Sequence, residues 1–457
     1  MNFVRRLSAS LLLSALAPLA SANEPPANVI LIIGDGFDDQ HVTMGRNYLK
    51  GAAGELLLDT LPMRGALHIE TVDDALKPVY VADSANTATT IATGVVTQVG
   101  RIGTDPQDRD RETIAETAIK AGMRAGVVST SAVTDATPAS FIAHVAHRSC
   151  QNARSVMGSN YYGTQMKGCP QDATPNGGPG SIAEQMARSA LTVALGGGGK
   201  HFKQPLEGDK TFDAAALAAQ QGFRVLHERA ELATVKPGER VFGLFAESHL
   251  PVRWQGTEGR RAESATVTTE GEQSTVQHPE PMQCEPNPEY GNTPPLAELT
   301  ELALQQLSAD NDAGFFLMVE SASIDKQSHA RNPCGSIGEI QQLEEALAVS
   351  LDFAKAHPNT LVVVTADHAQ AAQIIPEPSR YAGSRSPTHS PGKIARIINP
   401  DDTLMAVNYA TTVRSSANHT GANVPLFANE VGQRTLRPFL RQRDLYDAMM
   451  RHLGLKP

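Results

Sequence analysis

The sequence predicts an α/β fold: a three-layer sandwich in which helices cover both faces of a central, mostly parallel sheet, with long surface insertions. Five short apolar runs rich in β-branched residues are hydrophobic on both faces, which is typical of strands buried between two layers of helices. Helical patterns alternate with these runs along the chain. The chain has 457 residues, of which 41% are hydrophobic, so it can bury a core of this kind.

The predicted elements follow one another in a regular order. The strands are predicted at residues 28–33, 125–129, 192–195, 315–319 and 361–365. The helices are predicted at residues 112–121, 181–190, 212–220, 296–307, 337–357 and 440–453. Two polar stretches, 251–295 and 371–418, break this alternation and predict long surface insertions or lids.

The first 22 residues have the pattern of a secretory signal peptide. Arg5 and Arg6 precede an apolar run at 7–20, and the small residues up to Ala22 form an expected cleavage site. The run is too short to span a bilayer. We therefore expect a single catalytic domain at 23–457, in the periplasm or secreted, with no membrane anchor. The arginine pair leaves the twin-arginine export route open.

The charge of the chain limits its partners. Lys and Arg number 39 and Asp and Glu number 49, which gives a formal net charge of -10. Nucleic-acid binding needs a basic face that displaces counterions, so we expect no nucleic-acid partner. If the substrate is an anion, local cations must overcome the overall negative field.

The four cysteines indicate disulfides, since an exported protein folds in an oxidising compartment. Three pairings are possible, and sequential pairing is the simplest. Zinc binding by cysteines is the alternative, but no C-x-x-C spacing supports it. The four are Cys150, Cys169, Cys284 and Cys334.

Carboxylates and histidines follow three of the predicted strands. Asp35 stands between two glycines after the first strand, at the edge where open α/β sheets bind ligands, although it could simply cap the next helix. Glu320 ends the fourth strand, and Asp325 and His329 follow at a spacing that puts both on one side of a helical turn. An exposed acidic helix start is the alternative interpretation.

A second Asp and His pair follows the fifth strand. Neighbours in a strand point to opposite faces, so Asp367 and His368 share a site only if the chain turns immediately after Thr365. His419 lies in a later polar loop. Clustered carboxylates repel one another unless cations lie between them. Mixed His and carboxylate ligands suit zinc, and all-oxygen ligands suit magnesium.

Two further segments carry possible catalytic groups. Ser84 could be an ordinary helix N-cap or a nucleophile, and a nucleophilic serine needs a base or a metal to remove its proton. The second segment offers Asp135, Thr137 and Arg148. Eleven residues of straight helix span about 16 Å, so Thr137 and Arg148 share a site only if the helix is short or the arginine reaches back.

Taken in order, these motifs resemble those of the bacterial alkaline phosphatases of the dimeric, two-zinc, one-magnesium type. The matching segments are IGDG, ADSA, TDATPA, AHVAHR, VESASIDKQSH, TADHA and HTG. The resemblance covers nearly the whole mature chain. It implies a homodimeric phosphomonoesterase, sequential disulfides and small phosphate monoesters as substrates.

The resemblance also implies a role for each site residue. Ser84 would be the nucleophile that becomes phosphoserine, and Arg148 would bind the phosphate. Asp135 and Lys326 would act on magnesium-bound water and on phosphate. The implied metal ligands are Asp325, His329 and His419 for one zinc; Asp35, Asp367 and His368 for the other; and Asp35, Thr137 and Glu320 for magnesium, with Ser84 also counted among the metal ligands.

Two other functions remain open at this point. A phosphodiesterase of the same superfamily would tend to use threonine and lack the magnesium ligands, so Ser84, Thr137 and Glu320 favour a monoesterase. A metal- or phosphate-binding protein without turnover gives no reason for the serine. The histidines outside the motifs are expected at the surface: His41, His68, His201, His249, His278 and His452.

Overall fold

The computed structural model describes residues 25–161, 164–206, 209–270, 273–376, 392–412 and 414–457. The predicted signal peptide therefore lies outside the described residues, as does part of the predicted insertion at 371–418. None of the helices in the described ranges is long and apolar enough to cross a membrane.

A ten-stranded sheet forms the centre of the fold, in the order β5-β6-β4-β3-β7-β1-β8-β9-β2-β10. The strands are β1 (Asn28–Gly34), β2 (Met63–His68), β3 (Arg124–Ala132), β4 (Val193–Gly197), β5 (Arg224–Leu226), β6 (Val241–Leu244), β7 (Phe315–Ser321), β8 (Thr360–Ala366), β9 (Val424–Ala428) and β10 (Phe439–Arg441). Seven neighbouring strands, from β5 to β8, are parallel, whereas β9 runs antiparallel to both of its neighbours. The predicted α/β fold is confirmed.

Helices cover the sheet on both faces, since every residue of β1, β7 and β8 is buried. The helices are α1 (Asp39–Lys50), α2 (Ser84–Thr93), α3 (Ile114–Lys120), α4 (Ala136–Ala139), α5 (Ala153–Val156), α6 (Ile182–Arg188), α7 (Gly199–Phe202), α8 (Ala214–Gln220), α9 (Leu296–Ser308), α10 (Ser323–His329), α11 (Pro333–Ala356), α12 (Glu430–Thr435) and α13 (Gln442–His452). One group of contacts joins α1, α9 and α11, and a second joins α2 with α3, α4 and α13.

The register of the three central strands positions the site. Gly34 of β1 is level with Ser321 of β7 and with Ala366 of β8. The three strands are parallel, so their carboxyl ends meet at one edge of the sheet. The residues that follow them are therefore neighbours in space although they are distant in the sequence.

The five predicted strands are all present in the central sheet, and five further strands of that sheet were missed. The missed β5 and β10 have three residues each, which is too short for a periodicity to show. The missed β2 has exposed and buried residues mixed, because it lies towards the end of the sheet. The predicted helix at 440–453 is α13, which begins two residues later because 439–441 form β10.

The two predicted insertions share a small sheet outside the central one. It combines a two-residue strand from the first stretch with three strands from the second: Glu263–Ser264, Lys393–Ile398, Leu404–Tyr409 and Gln373–Ile375. Their extent as insertions into a single domain stays a prediction.

Both sequential disulfides are present, joining Cys150 to Cys169 and Cys284 to Cys334. The bridged residues are 19 and 50 positions apart. In the loop-closure model each bridge stabilises the fold by about 3–4 kcal/mol.

A half-buried ion pair, His144 with Glu116, predicts a pH-dependent part of the stability. His144 Nδ1 lies 2.8 Å from the Gly103 carbonyl and Nε2 lies 3.0 Å from Glu116 Oε1. Burial lowers the pKa of His144, but the carboxylate overcomes this and raises the pKa above its ordinary value. The stabilisation is therefore complete below about pH 6.5 and is lost as the pH rises through the folded-state pKa.

We expect His144→Gln to lower the free energy of unfolding by about 1–2 kcal/mol at pH 5.5 and by less at pH 9. Urea unfolding at both pH values measures the difference. His357→Gln is the control, because that histidine is exposed and its only described hydrogen bond is to a helix carbonyl. An equal loss at both pH values would show that His144 stabilises by packing alone.

Candidate active site

The candidate site lies at the carboxyl edge of β1, β7 and β8. Asp35 follows β1, Glu320 is the penultimate residue of β7, and Asp367 follows β8. The strand β8 continues through Ala366, one residue beyond the turn predicted after Thr365, and the chain then bends at Asp367 and His368, so that Asp367 Oδ2 and His368 Nε2 lie 3.6 Å apart. The short helix α10 follows β7 after one residue and carries Asp325.

Asp325, His329 and His419 form one group of potential metal ligands. The two imidazole Nε2 atoms are 3.0 Å apart, and each lies 3.4 Å from Asp325 Oδ1. Burial opposes the ionisation of Asp325, but His329 and His419 overcome it and hold the pKa of this carboxyl well below its ordinary value. Asp325 is therefore an ionised carboxylate facing two imidazole nitrogens.

A second group combines Asp35, Asp325 and His368. His368 Nε2 lies 3.4 Å from Asp35 Oδ1 and 3.6 Å from Asp367 Oδ2. Asp367 Oδ2 is buried and has no hydrogen-bond partner among the described residues. Asp325 belongs to both groups, so the two groups adjoin, and Asp367 stands beside the second.

Backbone carbonyls orient all three imidazoles. His329 Nδ1 faces the Ala417 carbonyl, and His419 Nδ1 faces the Ala82 carbonyl at 2.8 Å. His368 Nδ1 lies 3.1 Å from the Ala369 carbonyl. A carbonyl only accepts, so each Nδ1 carries a proton and each Nε2 faces the site, where it offers a lone pair when the imidazole is neutral. This is the usual arrangement of metal-binding histidines.

Glu320 lies next to Thr137 and close enough to Asp35 for its charge to raise the pKa of that carboxyl. The hydroxyls of Ser129 and Ser131 on β3 donate to Glu320 Oε2, the second over 3.1 Å. Burial raises the pKa of Glu320 to about 7. Thr137 is 1% exposed, and its hydroxyl makes no hydrogen bond of ordinary geometry among the described residues. Oxygen ligands of this kind suit magnesium.

Ser84 is the first residue of α2 and faces the second group. Its Oγ lies 3.2 Å from His368 Nε2 and 3.4 Å from Asp35 Oδ1. The N-cap role that the sequence left open for Ser84 belongs to Asp83, which accepts from the Asn86 amide. The Ser84 hydroxyl is therefore free of the capping bond and lies against the candidate ligands.

Arg148 reaches the site because α4 has only four residues. Its guanidinium donates to Asp135 Oδ1 at 3.0 Å and to Asp83 Oδ2 at 3.3 Å. Lys326 Nζ lies 3.0 Å from Asp135 Oδ2 and 3.6 Å from Asp35 Oδ2. Burial raises the pKa of Asp135, but Lys326 and Arg148 outweigh it and hold the pKa well below its ordinary value. Two cations thus lie in the site of a chain of negative net charge, Arg148 on Asp83, which precedes Ser84, and Lys326 on Asp35, which contacts Ser84.

The carboxylates of the site need cations that the protein itself does not fully supply. Burial and the neighbouring Asp367 and Asp325 raise the pKa of Asp35 well above its ordinary value. Among the described residues, Lys326 is the one permanent cation in contact with Asp35. His368 also contacts Asp35, but it carries a charge only when it is protonated. Metal ions would relieve this repulsion, and the donor atoms present are those that bind zinc and magnesium.

Sequence reasoning missed several residues that support the site. Gln370 Nε2 donates to Asp325 Oδ1 over 2.5 Å, and His249 Nδ1 lies 3.8 Å from Asp135. The prediction of a surface position is wrong for His41, which is fully buried, whereas His249 is half-buried and in contact with Asp135. No motif marked these positions; only the three-dimensional fold brings them to the site.

Comparisons with known proteins agree with this geometry. Residues 26–392 match the family model described as alkaline phosphatase. The chain is 38% identical over 453 residues to the alkaline phosphatase of Escherichia fergusonii, covering 96% of this chain and 88% of the relative. It is also 38% identical over 471 residues to the streptomycin-6-phosphate phosphatase of Streptomyces griseus, covering 98% and 97%.

Solved structures share the fold. The alkaline phosphatase of the Antarctic bacterium TAB5 superposes with a TM-score of 0.65 at 23% identity, covering 95% of this chain and 99% of that one. The alkaline phosphatase of Thermus thermophilus gives a TM-score of 0.66 at 20% identity, covering 98% and 96%.

Proposed function

The chain belongs to the alkaline phosphatase family, and on that premise we propose that it hydrolyses phosphate monoesters through a phosphoserine at Ser84, with two zinc ions and one magnesium ion. The observation that supports this most directly is the position of the Ser84 hydroxyl. It lies 3.2 Å from His368 Nε2 and 3.4 Å from Asp35 Oδ1, two members of the second group of candidate ligands. A binding protein without turnover would have no use for a hydroxyl there.

The proposed ligands divide among three ions according to the family's pattern. When bound, the ions would supply positive charge that favours the alkoxide of Ser84 and balances the charge developing on the leaving oxygen. The proposed sets are Asp325, His329 and His419 for the first zinc; Asp35, Asp367, His368 and Ser84 for the second; and Asp35, Thr137 and Glu320 for magnesium.

In the proposed reaction Ser84 Oγ loses its proton and attacks the phosphorus atom. The new Oγ–P bond forms as the bond from phosphorus to the ester oxygen breaks, and the alcohol departs. A water molecule then attacks the phosphoserine, the Oγ–P bond breaks, and inorganic phosphate and the free Ser84 hydroxyl are regenerated. Both displacements occur at phosphorus, so little of the alcohol needs to be recognised.

Arg148 is proposed to bind the phosphoryl group with two parallel hydrogen bonds, a geometry that lysine does not reproduce. Asp83 and Asp135 hold its guanidinium in place before substrate arrives. Asp135 and Lys326 are proposed to act on phosphate and on magnesium-bound water.

We expect Arg148→Ala to weaken the binding of inorganic phosphate by about 10- to 100-fold, because one charge-assisted bidentate contact is lost. Phosphate inhibition of p-nitrophenyl phosphate hydrolysis measures the change, and elemental analysis measures bound zinc. Zinc content should stay at the wild-type level. A parallel fall in zinc would contradict the assignment of Arg148 to the phosphate.

A direct assay tests the proposed function. We expect purified protein to contain zinc and magnesium and to hydrolyse p-nitrophenyl phosphate much faster than bis(p-nitrophenyl) phosphate, with chelators abolishing both activities. A preference for the diester would favour a phosphodiesterase. Bound metal without turnover of either ester would favour a binding protein.

The remaining features concern partners and location. We propose export to the periplasm or the medium, which the two disulfides support because they form in oxidising compartments. We also propose a homodimer that acts on small phosphate monoesters. Streptomycin 6-phosphate belongs among the substrates to be assayed, since one relative is named for its hydrolysis.

A further inference from the structure

Arg331 occupies an unusual position just after α10, the helix that carries Asp325 and His329. Its side chain is only 3% exposed, and its φ of +58° is a backbone conformation that residues with side chains rarely adopt. Arg331 makes no described ion pair with any carboxylate. A buried cation held in a rare backbone conformation indicates a specific task.

The guanidinium of Arg331 binds a loop through three backbone carbonyls. It donates to Ser415 O at 2.7 Å, to Arg414 O at 2.7 Å and to Thr412 O at 3.2 Å. The planar guanidinium reaches these carbonyls from two separate nitrogen atoms, whereas lysine carries all three of its N–H donors on one nitrogen and does not reproduce this fork. Arg331 therefore fixes the loop residues Thr412, Arg414 and Ser415 in one position.

The same loop supports the candidate zinc ligands directly. Two residues further on, the Ala417 amide donates to His329 O at 3.0 Å, and the Ala417 carbonyl accepts from His329 Nδ1. The loop then delivers His419, whose Nε2 lies 3.0 Å from His329 Nε2. Arg331 thus holds the segment that orients one imidazole and supplies the other.

We propose that Arg331 is a positioning residue that raises zinc affinity at the site formed by Asp325, His329 and His419. The inference rests on the proposed function, which assigns zinc to this group. The guanidinium contacts none of the three ligands, so it acts through the carbonyls of the loop. Its positive charge alone would repel a metal ion. Replacing Arg331 should therefore weaken zinc binding if the residue acts by positioning the loop, and should strengthen zinc binding if it acts only through its charge.

Two substitutions separate these roles. Arg331→Lys keeps the charge but loses the fork, and Arg331→Met loses both while keeping a long side chain. We expect both variants to bind zinc about 10- to 100-fold more weakly, measured by competition with a chromogenic chelator. We also expect saturating zinc to restore their p-nitrophenyl phosphate turnover. Unchanged affinity in Arg331→Lys, or tighter binding in Arg331→Met, would overturn the proposal.

Arg124 provides the matched control. Its guanidinium also donates to backbone carbonyls, Gln306 O at 2.7 Å and Ala309 O at 2.5 Å, but it lies at the first residue of β3, at the opposite edge of the sheet. Arg124→Met should lower stability without changing zinc affinity. If it weakened zinc binding as much as Arg331→Met, general destabilisation would explain the effect and the proposal would be wrong.

The wild-type protein separates failure of this inference from failure of the proposed function. If the wild type binds zinc and turns over phosphate monoesters but the Arg331 variants match it in affinity, only the role of Arg331 is refuted. If the wild type binds no zinc, the proposed function itself fails, and this inference fails with it. Circular dichroism and urea unfolding confirm that each variant is folded before its affinity is measured.

Discussion

Replacing Ser84 with alanine should reduce kcat for p-nitrophenyl phosphate by about 10⁴-fold or more, while inorganic phosphate still binds. Removing an attacking group together with its covalent intermediate is among the most damaging changes an enzyme can suffer. Arg148, Asp135 and Lys326 would remain in place, because their described contacts do not include Ser84. Binding and chemistry should therefore separate in this variant.

Steady-state kinetics and phosphate titration measure the two effects, and acid quenching after reaction with labelled substrate detects the phosphoserine in the wild type only. Ser350→Ala is the control: Ser350 is also a buried helical serine, and its hydroxyl donates to Ala346 O within α11. Retained turnover in Ser84→Ala would refute the nucleophile assignment. Lost phosphate binding together with lost turnover would indicate a collapsed site instead.

The site residues that could be predicted from the sequence are those that stand in short motifs directly after a strand. Asp35, Asp325 and His368 come together because β1, β7 and β8 are parallel and their ends are level. Buried strands that are apolar on both faces generally pair in parallel, and their carboxyl ends then share one edge of the sheet. The apolar pattern of the sequence was therefore enough to predict that these residues lie close together.

The supporting residues could not be predicted in this way. Gln370, His249 and Arg331 act through atoms that are close only after long-range folding, and none belongs to a periodic pattern. Ala417 contributes a backbone carbonyl, which any residue type would offer. The same limit applies to the fold: the shared sheet of the two predicted insertions pairs residues more than one hundred positions apart.

Removing the metal ions should abolish hydrolysis and also destabilise the fold. A ligand present at 100 times its dissociation constant stabilises the native state by about 2.7 kcal/mol, and that contribution disappears on chelation. The loss should be greater at high pH, because the buried carboxylates then ionise without cations to balance them. Dialysis against a chelator, followed by urea unfolding with and without zinc and magnesium, measures the change.

Glu320 gives the pH dependence of the chelated protein a definite sign. Burial raises its pKa to about 7, above the ordinary value of 4.5. The folded state then holds a proton that the unfolded chain has released, so stability falls as the pH rises from about 4.5 through 7, by up to about 3 kcal/mol. In the chelated protein, Glu320→Gln should remove this part of the dependence of the free energy of unfolding on pH. In the wild type, adding zinc and magnesium should remove the same part. The contrary outcome is a chelated wild-type protein whose free energy of unfolding stays constant from pH 5 to pH 8. It would show that the buried carboxylates of the site do not depend on cations. The assignment of metal ions to these carboxylates would then be wrong.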